Sequence, residues 1–165
     1  MLFHRIWVTA CLLASIFILS GCKEEVAKVG ASAPSIAVFD AQKNPIKLSD
    51  FKGKPVVLEF WSVTCGSCLA MMAEWEKLTK SRPDDVAVIG INIDKKEFDL
   101  EAFSQKQGFT FPLGFDQLGI TQERYLISVT PTTYFVNKKG KITKMHVGFA
   151  INMNLNKYVD ELLIN

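Results

Sequence analysis

The period of the apolar positions changes from one stretch of this chain to the next, and each change marks an element. "PVVLEFW" (55–61) is a continuous apolar run rich in β-branched and aromatic residues, which predicts a central strand buried on both faces. "DDVAVIGINID" supplies a second buried strand, from about Val86 to Ile93. Between them the period becomes helical. Cys68, Met71, Met72, Trp75 and Leu78 fall at i, i+3, i+4, i+7 and i+10, one face of a helix over 66–80. "KKEFDLEAFSQKQG" (95–108) is an amphipathic helix closed by Gly108. "FTFPLGFD" (109–116) is a loop or short strand, and "QLGITQERYLI" (117–127) a weaker helix. "TTYFVNKKGKITKMHVG" reads as a hairpin, with strands at 132–136 and 141–147 around the turn "NKKG". Residues 152–164 form a final helix with Asn152 as its cap. Upstream, "SIAVF" and "IKL" flank the turn "DAQKNP" as two short strands, an N-terminal β-hairpin extension. Strands alternating with helices predict an α/β domain, a central mixed β-sheet flanked by helices.

The first residues follow a different rule. His4 and Arg5 precede a mostly apolar run from Ile6 to Leu19, too short for a spanning helix and suited to a signal-peptide core. Leu19-Ser20-Gly21-Cys22 then resembles the bacterial lipobox, in which small residues precede a cysteine that is lipidated and becomes the new N-terminus. That resemblance implies a signal peptide at 1–21, a lipidated tether at 22–32 and a folded domain at 33–165. Cys22 to Ala33 reaches at most roughly 36 Å, which keeps the domain just off the membrane. The implied product is an exported lipoprotein, anchored by acylated Cys22 and facing the periplasm or the cell exterior.

Composition narrows the chemistry. The chain has 165 residues, room for one ordinary domain, and its net charge of +2 is too small to argue for nucleic acid. Of its four cysteines, Cys11 lies in the discarded segment and Cys22 takes the lipid, so Cys65 and Cys68 remain. Their C-x-x-C spacing sits where the buried strand gives way to the helix. There Cys65 meets unpaired backbone N–H groups and the positive end of the helix dipole, which favour its thiolate. The thiolate is the attacking species in disulfide exchange, so Cys65 is the expected nucleophile. Cys68, one turn further along on the apolar face, is expected to be buried and to resolve the mixed disulfide. A structural zinc site would need more ligands than remain. Cys65, Cys68 and His146 could still form a copper(I) site, the basis of an alternative reading as a non-enzymatic copper chaperone.

With these residues in place, the chain resembles the thioredoxin superfamily. Its nearest resemblance is to the exported TlpA/ResA-type thiol–disulfide oxidoreductases, within the wider AhpC/TSA and redoxin group. "IKLSDFKGKPVVLEFWSVTCGSC", "VAVIGINIDKKEFDLEAF" and "YLISVTPTTYFVNKKGKI" carry the resemblance, which covers residues 33–163. It implies a thioredoxin-like fold, thiol–disulfide exchange on exported proteins (with reduction the expected direction), and a membrane or periplasmic thiol donor. No cofactor is implied. Thr130-Pro131 matches the cis-proline loop of such proteins, so Pro131 is expected cis and the Thr130 backbone is expected to pair with the substrate chain. Glu59 falls where these proteins carry a buried acid; desolvation would raise its pKa and let it accept the Cys68 proton. Thr64 and the Gly66-Ser67 dipeptide depart from the common pattern, and Met71 stands where cytochrome-maturation members often have glutamate. A thiol peroxidase is the other alternative, because "LSDFKGKPVVLEF" is peroxiredoxin-like. Its P-x-x-x-T-x-x-C motif fails: counted back from Cys65 the positions hold Ser62 and Leu58, and from Cys68 they hold Cys65 and Trp61.

Overall fold

The computed structural model describes residues 25–149 and 152–164; Cys22 and the apolar run at 6–19, on which the signal and lipid readings rest, lie outside them. In chain order the elements are β1 (Val38–Phe39), β2 (Pro45–Ile46), a 3-10 turn (Leu48–Phe51), β3 (Val56–Trp61), α1 (Gly66–Ser81), β4 (Ala87–Asn92), α2 (Leu100–Gln107), β5 (Leu113–Phe115), α3 (Ile120–Arg124), β6 (Thr132–Val136), β7 (Ile142–Val147) and α4 (Leu155–Ile164). The strands form a mixed sheet in the order β2-β1-β5-β4-β3-β6-β7. β3, β4 and β5 run parallel, while β6 and β7 on one side and β1 and β2 on the other run antiparallel to their neighbours.

β3 is apolar apart from Glu59 because both of its faces are covered, and every one of its residues is buried. Val57 and Trp61 face a layer formed with Cys68, Met71, Met72 and Trp75 of α1 and Val159 and Leu162 of α4. Val56, Leu58 and Phe60 face the other layer, with Ile89, Ile91, Tyr125 and Tyr134. The second layer is closed by the segment that precedes β1. The Ala27 N–H donates to the Arg124 carbonyl at 2.8 Å, Gly30 N–H donates to Ile142 O at 2.7 Å, and Tyr125 Oη donates to Pro34 O at 2.7 Å. Residues 27–34 therefore lie along the domain from α3 to β7, and 27–32 of them belong to the stretch whose sequence suggests a tether.

Two helix starts differ from the sequence expectation, for the same reason: a short polar side chain nearer the helix takes the cap. Asp99 Oδ1 accepts from Ala102 N–H at 2.9 Å, so α2 begins at Leu100 and residues 95–98 stay outside it. Asn154 Oδ1 accepts from Lys157 N–H at 3.1 Å, so Asn154 and not Asn152 precedes α4. The strands of the N-terminal hairpin are also shorter than the apolar pattern suggests, pairing only Val38 with Ile46 and Phe39 with Pro45.

Gly90 shows how tightly the first layer is filled. It sits beside Glu59 in the β3–β4 register. A Cβ there would come within 2.5 Å of Leu113 Cδ2, 3.3 Å of Trp61 Nε1 and 3.4 Å of Met72 Cε. Gly90→Ala is expected to cost about 1 to 3 kcal/mol by overpacking, read as a lower midpoint in denaturant unfolding with an unchanged slope.

Candidate active site

The loop that leaves β3 carries the two cysteines into α1. Cys65 is the residue before the helix, in an extended conformation, and its Sγ accepts the Cys68 N–H at 3.2 Å. The side chain thus satisfies one of the backbone donors that a helix start leaves open. Ser67 Oγ lies 3.4 Å from the same sulfur. A disulfide sulfur has no proton to give, so the hydroxyl is the donor. Cys65 and Cys68 are joined by a disulfide, with Cys65 partly exposed and Cys68 fully buried. Only the Cys65 end of the bond faces solvent, because the following helical turn carries Cys68 into the layer with Met71, Met72 and Trp75.

Glu59 is buried completely on the same face of β3 as Val57 and Trp61. Trp75 Nε1 donates to its Oε2 at 3.1 Å and Thr133 Oγ1 donates to the same oxygen at 2.7 Å. Oε1 is buried and has no hydrogen-bond partner among the described residues. Desolvation pushes the carboxyl up to about 8, and the Thr133 and Trp75 hydrogen bonds offset only part of that rise. At neutral pH the group is therefore mostly protonated. Since Oε2 already receives two donors, the proton belongs on Oε1.

The Thr130–Pro131 peptide bond is cis, and Pro131 is buried. Phe60 pairs with Thr132 across β3 and β6, so continuing the antiparallel register sets Pro131 opposite Trp61, at the end of the sheet where the cysteine loop emerges. Pro131 O accepts from Gly148 N–H at 2.8 Å, which ties the proline turn to the end of β7. Cys65, Cys68, Glu59 and Pro131 thus come from β3, α1 and the entry to β6. His146 does not join the cysteines. It sits on β7 in the same cross-strand row as Thr133, with its ring 6.2 Å from that of Tyr158. Among the described residues, no group of three metal-ligating side chains lies together. Met71, at the position where glutamate would mark a cytochrome-maturation member, is fully buried.

Sequence reasoning missed Asp94, just beyond the end of β4. Its Oδ1 accepts from Ser62 Oγ at 2.6 Å, and its Oδ2 accepts from the Val63 N–H at 2.7 Å and from Asn92 Nδ2 at 2.8 Å. Asn92 is fully buried and its Oδ1 receives the Asp94 N–H at 3.0 Å. The carboxylate holds the 62–64 loop against the end of β4, and Ser62 O in turn receives the Cys65 N–H at 3.1 Å. A sequence signal existed only in part: a polar Asn-x-Asp closing an apolar strand. Its target lies 31 residues away in sequence from Val63, and no local pattern reports that contact.

Comparison with known proteins agrees with this geometry. The AhpC/TSA family matches residues 29–145, well over half of the chain. The thioredoxin-like protein YneN of Bacillus subtilis is 33% identical over 84% of this chain and 82% of its own length. The thiol–disulfide oxidoreductase ResA of the same organism is 30% identical over 84% of this chain and 77% of its own. Among solved structures, the exposed lipoprotein thioredoxin Etrx1 of Streptococcus pneumoniae superposes with a TM-score of 0.64 at 29% identity, covering 78% of this chain and 100% of the other. With a thioredoxin-like fold around a C-x-x-C pair, this chain belongs to the AhpC/TSA family and is a thiol–disulfide oxidoreductase.

Proposed function

We propose that the protein is a membrane-anchored reductase of disulfides in exported proteins, held at the lipid surface by acylated Cys22. The observation that carries the exchange reading is the division between the two sulfurs: Cys65 partly open to solvent at a helix start, Cys68 sealed in the core beside Trp75, the residue that holds Glu59. The Cys65 thiolate attacks a client disulfide, forms a mixed disulfide and expels one client thiolate. The ionised form of Glu59, a minor fraction at neutral pH, then takes the Cys68 proton as Cys68 attacks the Cys65 sulfur. The Cys65–Cys68 bond forms, the second client thiolate leaves, and two electrons have passed from the cysteine pair to the client. A thiol donor in the membrane or periplasm returns the pair to its dithiol state. The backbone of Thr130, before Pro131, lies on the side from which the client chain pairs.

The direction rests on what surrounds Cys65. Its sulfur is met by a backbone N–H and the Ser67 hydroxyl, both neutral. No charged side chain is hydrogen-bonded to that sulfur among the described residues, and we read the pair as a reductant on that ground. Anchoring is supported by the lipobox-like Leu19-Ser20-Gly21-Cys22 and by the lipoprotein character of Etrx1. No described helix is long and apolar enough to cross a membrane.

Two outcomes test the assignment of roles. In cells, Cys68→Ser should accumulate mixed disulfides with client proteins, seen as bands that collapse on reduction, whereas Cys65→Ser should accumulate none and turn over nothing; the reverse pattern would exchange the roles. Glu59→Gln should slow the resolving step by about 10²-fold in single-turnover assays. The same variant carries a stability signature. Because the folded-state pKa of Glu59 is raised from 4.5 to about 8, the folded chain retains a proton that the unfolded chain releases. The resulting penalty is absent below the lower value, grows through the window between them, and is complete above the upper one. The stability of Glu59→Gln relative to the parent should therefore rise by up to about 4 kcal/mol between about pH 5 and about pH 9, measured by denaturant unfolding of the disulfide form.

A further inference from the structure

Leu126 is out of place by the rules that shape the rest of the chain. Its backbone is left-handed, with φ of 53°, a conformation that bulky side chains seldom adopt. Its side chain is 65% exposed and belongs to neither core layer. The turn is pinned on both sides: Leu126 N–H donates to Glu123 O at 3.0 Å, Ile127 N–H donates to Gln122 O at 2.9 Å, and Gln122 Nε2 donates to Ile127 O at 3.1 Å. A glycine would hold that turn without strain. An apolar side chain is thus presented to solvent at a conformational cost.

The first described residues run directly alongside. The Ala27 N–H donates to Arg124 O, two residues before Leu126, and the adjacent Val26 is 43% exposed and Val29 53%. Charges around this rim come in both signs, Glu25 and Lys28 on the incoming segment and Glu123 and Arg124 on α3, so electrostatic attraction to an anionic surface is not its main feature. What singles out the occupant is chain length. Cys22 precedes Val26 by four residues, a span of at most about 14 Å.

We infer that the rim formed by Val26, Val29 and Leu126 is a bilayer-contact surface, and that it seats the α3 face of the domain in the lipid interface that holds the acyl chains. This rests on the reading of Cys22 as acylated. An acylated residue lies at the level of the lipid headgroups, and the Ala27–Arg124 hydrogen bond leaves only a short run of chain between that level and Leu126. The domain is then oriented on the membrane rather than free to tumble on a long leash. The turn carrying Leu126 leads directly into Thr130–Pro131, so the orientation also sets how the client-binding side meets proteins at the membrane surface.

The test uses the full-length lipoprotein reconstituted into phosphatidylethanolamine/phosphatidylglycerol vesicles, with the Cys65–Cys68 pair kept as a disulfide. A polarity-sensitive fluorophore is placed at Leu126→Cys and, as a control, at Gln107→Cys, an exposed site at the end of α2 on the opposite face. Spin-labelled lipids should quench the Leu126 label at least about twofold more than the Gln107 label. Equal quenching of both labels in protein that sediments with the vesicles overturns the orientation and leaves the anchor standing; the Leu126 rim would then serve a protein partner. Protein that stays in the supernatant with unmodified Cys22 overturns both. Leu126→Gly, which relieves the left-handed strain, should unfold at the same or a higher temperature than the parent. With the fluorophore at Val29→Cys, that variant should lose its lipid quenching toward the Gln107 level, and unchanged quenching would exclude Leu126 from the contact.

Discussion

A single buried carboxyl joins the elements that make this site. Glu59 stands on the central strand, Trp75 on the helix that carries the cysteines, and Thr133 on the strand entered through the cis Thr130–Pro131 bond. Both donors converge on one oxygen of Glu59. In the apolar core around it, an ionised carboxylate is strongly disfavoured, and two neutral hydrogen bonds do not compensate for lost hydration. The group therefore keeps its proton at neutral pH and is held in place without charging the core. Packing and chemistry meet in this arrangement. Whatever fixes Trp75 against β3 also fixes the face of α1 from which Cys68 projects, and whatever fixes Thr133 fixes the register of the strand that follows Pro131.

The rest of the site is arranged around that anchor by loops at one end of the sheet. β3 and β4 are parallel neighbours, and such strands deliver their following loops to the same end, where sites of open α/β sheets gather. Asp94, leaving β4, grips the Ser62–Val63 backbone and side chain leaving β3, so the approach to Cys65 is held by a carboxylate–amide network rather than by apolar contact. On the other side, the Pro131 carbonyl is tied to Gly148 at the end of β7. Cys65 follows the first of these tied loops, its sulfur capping α1 and receiving the Ser67 hydroxyl. The disulfide thus has one sulfur in a polar, reachable setting and the other in a dry one.

Local pattern was enough to place the main elements. β3 and β4 appear as apolar runs, α1 as a stripe with Cys68 on its buried side, and β6–β7 as a hairpin around a Gly-containing turn, because each pattern reports burial of the residue that carries it. What local pattern could not report is contact between distant segments. Asp94 looks like any polar residue after a strand until the cysteine loop is folded against it. The stretch at 23–32 reads as polar and small, yet its Ala27 and Gly30 pair with Arg124 and Ile142 because the open face over Tyr125 needs cover and the backbone groups need partners. Asn152 and Asn154 are equivalent caps by composition, and only the backbone path into α4 selects Asn154. Leu126 defeats the pattern altogether: neither its apolar character nor its size suggests an exposed left-handed turn.

The most direct test of this account is a pH titration of the Glu59 carboxyl itself in the disulfide form, by isotope-edited infrared spectroscopy with Glu59→Gln to identify the band. The account predicts a protonated carboxyl band that persists through neutral pH and disappears with a midpoint of about 8. A midpoint near the ordinary 4.5 would mean that Glu59 is ionised in the folded chain, and would contradict its burial as a neutral acid.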